Sequence, residues 1–195
     1  NTRELLRSCL QSIAARTHSL TYKVIVVDNA SSDGSADMVA SEFPGVRLVA
    51  SKDNLGFACG SNLAASIASG DHILYLNPDT ELVTNAMRGM WQTLTTQPLC
   101  GAVSCRLLNS DGSVQLTCAA DIPSPRNELS SMLFLDRLFP GSALLSAREL
   151  AYWDHLDSRD VPCLSGACLM ARRTTLDQLG GFDESLFIYG EDVDL

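Results

Sequence analysis

Positive charge is scarce in this chain. Its 195 residues carry 14 lysines and arginines against 23 aspartates and glutamates, a net charge of −9. That balance argues against non-specific nucleic-acid binding, which needs a basic face. Long apolar runs are missing too: no stretch is long enough to span a bilayer, and no signal peptide stands at the start. The seven cysteines (Cys9, Cys59, Cys100, Cys105, Cys118, Cys163, Cys168) are odd in number and contain no Cys-x-x-Cys pair. Neither a disulfide framework nor a zinc ribbon is indicated, and buried free thiols in a reducing compartment are the plainer reading. There is no Gly-x-Gly-x-x-Gly fingerprint after the first complete strand and no phosphate-loop lysine motif. A dinucleotide oxidoreductase or a P-loop enzyme is therefore disfavoured. An initiating Met is absent, Asn1 already caps a helix, and Glu191-Asp192-Val193-Asp194-Leu195 closes the chain without a stop signal. The sequence thus reads as a fragment of a longer protein.

What is present is an ordinary globular composition, 46% hydrophobic with mean hydropathy +0.08, at the length of one domain. The centre of the pattern is Ile73-Leu74-Tyr75-Leu76-Asn77-Pro78-Asp79-Thr80. A buried strand is predicted to stop at about Asn77, because Pro78 cannot donate to a ladder. Asp79 then lies just beyond the carboxyl end of that strand, where open α/β sheets bind ligands. A carboxylate so placed suits a hard divalent cation shared with substrate phosphates; taken alone, it reads more readily as a turn former or helix cap.

Two further strand–loop–helix units precede it. The apolar run Lys23–Asp28 leads through Asn29–Ser35 into a helix over Ala36–Phe43, and Val46–Ala50 leads through Ser51–Gly56 into a helix over Phe57–Ser69 that stops at Gly70. Upstream, Leu5, Leu6, Cys9, Leu10 and Ile13 form one helical stripe; downstream, Thr84–Thr96 forms another helix. Three such units predict a parallel sheet with helices on both faces. Their three polar loops, with Asp28, Asn29, Ser31 and Asp33, then Asn54, Gly56 and Asn62, then Asn77 and Asp79, fall on one sheet edge. Asp28 is a good acceptor for ribose hydroxyls or a base N–H, and Gly56 and Gly60 allow close backbone approach to a ligand.

After Cys100 the pattern changes. Ala102–Leu108 and Ser113–Thr117 flank Asn109-Ser110-Asp111-Gly112, a hairpin signal. Residues 119–159 are irregular, with one helix predicted near Asn127–Phe139, and such a stretch suggests a functional or mobile loop. Strand character resumes over Val161–Arg173, and Thr174–Leu179 reads as a short helix ended by Gly180-Gly181.

Five motifs stand in order along the chain. They are Val26-Val27-Asp28-Asn29-Ala30-Ser31-Ser32-Asp33-Gly34-Ser35, Asn54-x-Gly56-Phe57-x-x-Gly60-x-Asn62, Leu76-Asn77-Pro78-Asp79, Leu164-Ser165-Gly166-Ala167, and Gly180-Gly181-Phe182-Asp183-Glu184 followed by Gly190-Glu191-Asp192-Val193-Asp194. Together they resemble family 2 nucleotide-sugar glycosyltransferases of the GT-A fold, in the rhamnosyltransferase-like branch. The resemblance implies an α/β, Rossmann-like, mostly parallel sheet flanked by helices, lacking the family's first strand and C-terminal region. It implies one catalytic domain over residues 1–195, with 1–100 the nucleotide-binding half and 101–195 the acceptor and catalytic half.

By that resemblance, Asp28, Asn29, Ser31, Asp33, Asn54, Gly56, Asn62 and Asn77 belong to the nucleotide site. Asp79 binds a divalent metal, Mg²⁺ or Mn²⁺, and Gly166 and Ala167 line the donor-sugar or acceptor side. Asp192, paired with Glu191, is the general base. Asn77 departs from the family by replacing the first acid of its Asp-x-Asp pattern. The implied reaction is inverting transfer of a sugar from a nucleotide-diphosphate donor to a saccharide or lipid-linked acceptor. It is expected in the cytoplasm with peripheral association at the inner membrane face, in cell-envelope polysaccharide assembly. The alternatives are a nucleotidyltransferase that makes a nucleotide-sugar, or an incomplete domain without catalysis. The bland reading of Glu191, Asp192 and Asp194 is a solvated acidic helix start.

Overall fold

The computed structural model describes residues 1–187 and 190–195. In chain order the elements are α1 (Arg3–Arg16), β1 (Ile25–Asn29), α2 (Ser35–Glu42), β2 (Arg47–Ser51), α3 (Gly56–Ile67), β3 (His72–Leu76), α4 (Ala86–Thr96) and β4 (Ala102–Ser104). There follow a single 3-10 turn (Leu116–Cys118), β5 (Ala119–Ala120), α5 (Pro125–Met132), α6 (Leu135–Leu138), β6 (Cys163–Leu164), β7 (Cys168–Arg172), α7 (Arg173–Leu179) and α8 (Glu191–Asp194). The chain forms two compact units, residues 1–103 with 166–195 and residues 104–165. The last thirty residues thus return to the unit built by the first hundred.

In the first unit, β1 and β2 pair in parallel, with Asp28 opposite Ala50 and Asn29 opposite Ser51. β3 pairs with β7, which runs antiparallel to it, Leu76 facing Cys168, and β7 is bordered in turn by β4. The expectation of three strands in one parallel sheet therefore holds for β1 and β2, while β3 takes a partner from the far end of the chain. Among the described residues β1 and β3 are not hydrogen-bonded to each other. Between them lies a space of about 1150 Å³ walled by Val24, Val26, Leu74 and Leu76, whose lining at the carboxyl ends of both strands is Asp28, Asn29, Ser31, Asn77 and Pro78.

The stripe on α1 buries Leu6, Cys9, Leu10 and Ile13 against Met38, Val39 and Leu82. Each such side chain contributes roughly 1.5–3 kcal/mol relative to exposure. The first turn of α1 is not capped by Asn1 as the sequence suggests. Thr2 is the cap residue and makes no side-chain cap bond; the Arg3 N–H instead donates to Asp33 Oδ2 at 2.9 Å, and Asn1 Oδ1 accepts the Ser32 N–H. Two consecutive arginines where β7 passes into α7 satisfy carbonyls at and just beyond helix ends. Arg173 donates to the carbonyls of Ala68 and Gly70, each at 2.8 Å, after α3. Arg172 donates to the carbonyls of Leu94 and Gln97 at the end of α4.

In the second unit the predicted hairpin shrinks to one bridge, Leu108 with Val114, closed by an Asp111 side chain that accepts from the Ser113 N–H and hydroxyl. The helix expected over 127–139 is two helices, broken where Phe134 adopts φ +57°. Ser124 caps the first of them by accepting the Asn127 N–H. Cys9, Cys59, Cys100 and Cys118 are free thiols, and no described helix is long and apolar enough to cross a membrane.

Candidate active site

Asp28 is buried near the end of β1, and its Oδ2 accepts the Ser31 N–H at 3.0 Å, which closes the turn after the strand. Asn29 donates from Nδ2 to the Gly56 carbonyl at 2.9 Å. Its Oδ1 is buried without a partner among the described residues. A side chain on Gly60 would lie 3.3 Å from the same amide, so the glycine lets α3 approach the end of β1. The loops after β1 and β2 are therefore joined through Asn29.

Several of the sequence-predicted residues serve the loops themselves. Asp33 Oδ1 accepts from the Ser35 N–H and hydroxyl at the start of α2, while its other oxygen holds Arg3. These bonds keep the Asp33 carboxyl low, at about 2. Asn54 Oδ1 accepts the Gly56 N–H at 3.1 Å and forms the turn into α3. Asn62 lies in α3, and its amide is bonded to Phe182 and Glu184.

β3 ends at Leu76, as Pro78 requires. The Asn77 N–H then donates to the Ala167 carbonyl at 2.9 Å, and its own carbonyl accepts the Thr80 hydroxyl at 2.6 Å. Because β7 is antiparallel to β3, the chain enters β7 where β3 exits, and this brings Gly166 and Ala167 to the Asn77 turn. The Gly166 N–H donates to Asp192 Oδ2 at 2.9 Å. Asp192 and Asp79 are thus linked by a short path, from the carboxylate through Gly166-Ala167 to Asn77 and on by two residues. Asp192 is half-buried at the start of α8, whereas Asp79 is exposed.

Glu191 is buried, with Oε2 lacking a partner among the described residues. Asp79 makes no hydrogen bond or ion pair to any described residue, and no three His, Cys, Asp or Glu side chains among them are grouped to hold a metal. A cation kept by one carboxylate and completed by substrate phosphates fits that donor set, since Mg²⁺-type sites commonly use one or two carboxylates.

Sequence reasoning missed the apolar support of this edge. Phe182 is 2% exposed and stands edge-on to Phe57, at 5.5 Å between centroids, and to Tyr75, at 4.8 Å. The same surroundings push the Tyr75 hydroxyl up to about 12, chiefly through burial. Beyond Phe182, the Phe57 N–H donates to the Phe187 carbonyl, and a side chain on Gly56, at φ +78°, would meet that carbonyl at 2.8 Å. The signal in the sequence was the Gly180-Gly181-Phe182 run, whose two glycines both take positive φ.

The family model for "Glycosyl transferase family 2" matches residues 1–180. Among curated proteins, an N-acetylglucosaminyl-diphospho-decaprenol L-rhamnosyltransferase of Mycobacterium tuberculosis is 29% identical over 197 residues, which covers 88% of this chain and 59% of the relative. The O-antigen biosynthesis protein RfbC of Myxococcus xanthus is 28% identical over 201 residues, 98% of this chain and 14% of the relative. This chain therefore spans little more than half the length of the first relative and far less of the second. Among solved structures, the mannosyltransferase PcManGT of Pyrobaculum calidifontis, in complex with GDP-Man and Mn²⁺, superposes with TM-score 0.62 at 21% identity, covering 98% of this chain and 46% of that one. TarS residues 1–349 of S. aureus superposes with TM-score 0.65 at 17% identity, covering 99% and 50%. These likenesses establish a GT-A fold, and the match over residues 1–180 establishes the rest: the chain belongs to glycosyl transferase family 2.

Proposed function

We propose that the protein transfers a sugar, of the rhamnose class, from a nucleoside-diphosphate donor to a hydroxyl of a saccharide or lipid-linked acceptor, with inversion at the anomeric carbon. The observation that carries this reading is the joining of Asp192, Gly166-Ala167 and the Asn77-Pro78-Asp79 turn at one sheet edge. Support comes also from the relatives, one named for rhamnosyl transfer to a lipid-linked saccharide and one for O-antigen biosynthesis.

Asp28, Asn29 and Ser31 sit at the end of β1, where acceptors suit a ribose or a base edge, and the partnerless Asn29 Oδ1 is one such acceptor. Asp79 would hold a divalent cation, which when bound supplies positive charge to the donor diphosphate; the solved mannosyltransferase of the same fold carries Mn²⁺. Asp192 is the general base. The Gly166 N–H fixes one of its oxygens, and a carboxylate retains lone pairs for a further donor.

In the reaction the acceptor hydroxyl oxygen bonds to the anomeric carbon as the bond from that carbon to the diphosphate oxygen breaks. The hydroxyl proton passes to Asp192, and the nucleoside diphosphate leaves with the bonding electrons. Attack from the face opposite the diphosphate inverts the centre. Such a role places the protein in cell-envelope glycan assembly at the cytoplasmic membrane face. Asp192→Asn tests the reading in the full-length protein: nucleoside diphosphate release should fall by about 10²–10⁴, with UDP affinity by calorimetry retained. Undiminished release would refute the base assignment.

A further inference from the structure

We propose that Asn62 is a positioning residue for Asp192: its amide clamps the segment that follows Gly180 onto α3, and that segment sets where the carboxylate is presented. This rests on the reading of Asp192 as base and adds a residue that acts through it.

The Asn62 amide is fully engaged far along the chain. Its Nδ2 donates to the Phe182 carbonyl at 2.8 Å and to Glu184 Oε1 at 3.1 Å. Its Oδ1 accepts the Phe182 N–H at 3.0 Å. One side chain thus pairs both backbone groups of a single residue, as a neighbouring strand would, and both N–H groups of the amide are committed. No hydrogen is left to donate to a nucleotide.

The fit around the amide oxygen is close. Gly181 has φ +79°, and a Cβ there would stand 2.4 Å from Asn62 Oδ1. Next to it the Phe182 ring is lodged between Phe57 and Tyr75. A second anchor lies one and a half turns back along α3, where the Phe57 N–H donates to the Phe187 carbonyl at 3.3 Å.

The segment therefore lies along α3 with a hold at each end. Asp192 follows the second hold by five residues and is itself tied to Gly166 at 2.9 Å. Removing the Asn62 amide would leave the Phe182 N–H and carbonyl unpaired in a half-buried place. It would also free the segment to shift along α3. A general base displaced by about 1 Å loses rate without losing substrate affinity, of order a hundredfold.

The test uses the full-length protein with a panel of uridine- and thymidine-diphosphate sugars, read as nucleoside diphosphate release well below the melting temperature, and UDP affinity by calorimetry. Asn62→Ala should lower kcat by about ten- to a hundredfold while donor KM and UDP affinity stay within about twofold. Gly181→Ala, which presses on the amide oxygen and strains the backbone at φ +79°, should lower kcat likewise. In an Asn62→Ala background Gly181→Ala should add less than it does alone, because the clash with the amide is gone and only the strain of a positive φ remains.

An unchanged kcat in both single variants overturns the proposal, since the clamp would then only stabilise. So does a fall in UDP affinity that matches the fall in rate, which would make Asn62 a nucleotide contact. If Asn62→Ala does not fold, the same split in Gly181→Ala decides. Asp192→Asn is run alongside. Retained turnover there overturns the base assignment and this proposal with it, whereas an inactive Asp192→Asn beside a fully active Asn62→Ala overturns the positioning role alone.

Discussion

Replacing Phe182 with Ala takes out the ring that seats the returning segment on β3 and α3. The ring is 2% exposed, with Phe57 and Tyr75 edge-on at 5.5 and 4.8 Å. A Phe→Ala change at so enclosed a place costs about 3–5 kcal/mol, the transfer of the ring plus the cavity it leaves. The two aromatic pairings, roughly 0.5–1.5 kcal/mol each, are contained in that figure. Against a total stability of about 5–15 kcal/mol, the loss is a fifth to all of it. At roughly 2–4 °C per kcal/mol for a chain of this size, the melting temperature should drop by roughly 6–20 °C. Phe182→Leu keeps most of the volume and should cost only about 1–2 kcal/mol. Trp91 belongs to the unit that holds Phe182 and Trp153 to the other. Trp91 fluorescence in a Trp153→Phe background therefore follows the relevant unfolding. A loss under about 1 kcal/mol for Phe182→Ala, or equal losses for Ala and Leu, would refute the packing argument.

Asp79→Ala should abolish the Mn²⁺ dependence of UDP binding, measured by titration calorimetry with and without the metal; a dependence as steep as the parent's would remove Asp79 from that role. Asp33 sits at about 2 in the folded chain, held there by the Ser35 hydroxyl and the Arg3 N–H, below its ordinary 3.8. A depressed folded value means that its stabilisation is complete above the unfolded value and is lost as the pH falls toward 2. Asp33→Asn should therefore melt below the parent at neutral pH, with the gap closing between about pH 4 and pH 2. A gap of constant size down to pH 2 would show that the carboxylate charge is not what holds α1 and α2.

The strands before residue 80 were legible as short apolar runs closed by turn-forming residues, such as Ser31-Ser32-Asp33-Gly34 after β1 and Pro78 after β3. What was not legible is the pairing, because β7 reaches β3 from the other end of the chain and period alone carries no partner. The hairpin around Asp111 failed for a local reason. Its turn chemistry is real, with Asp111 bonded to Ser113, but beyond Leu108 and Val114 one arm winds into the 3-10 turn Leu116–Cys118 and the other has already left to border β7 as β4. For the candidate site, residue types could be read from the sequence, but their tasks could not. Asn and Asp offer the same atoms to a turn as to a ligand, so Asp33, Asn54 and Asn62 carry the signature of a polar binding loop while their side chains build the loops.

Geometry separates the acids where composition does not. Asp33 engages two backbone N–H groups and a hydroxyl at two helix starts, and its low pKa records that commitment. Asp192 takes an N–H from a loop that also carries the neighbour of Asn77. That contact fixes the carboxylate's direction and leaves acceptor capacity. Asp79 projects from the turn after β3 without a protein partner among the described residues. A carboxylate wholly occupied by its own scaffold cannot take a proton at neutral pH or share a cation with a diphosphate, because either step would break the bonds that depress it. Asp192 and Asp79 keep the acceptor capacity that the proposed reaction needs, and β3 with its antiparallel partner brings the turn that carries Asp79 and the Gly166 loop that holds Asp192 to one edge. β7 runs against the direction expected of a parallel sheet, and that reversal is what delivers Gly166, and with it Asp192, to the turn that carries Asp79.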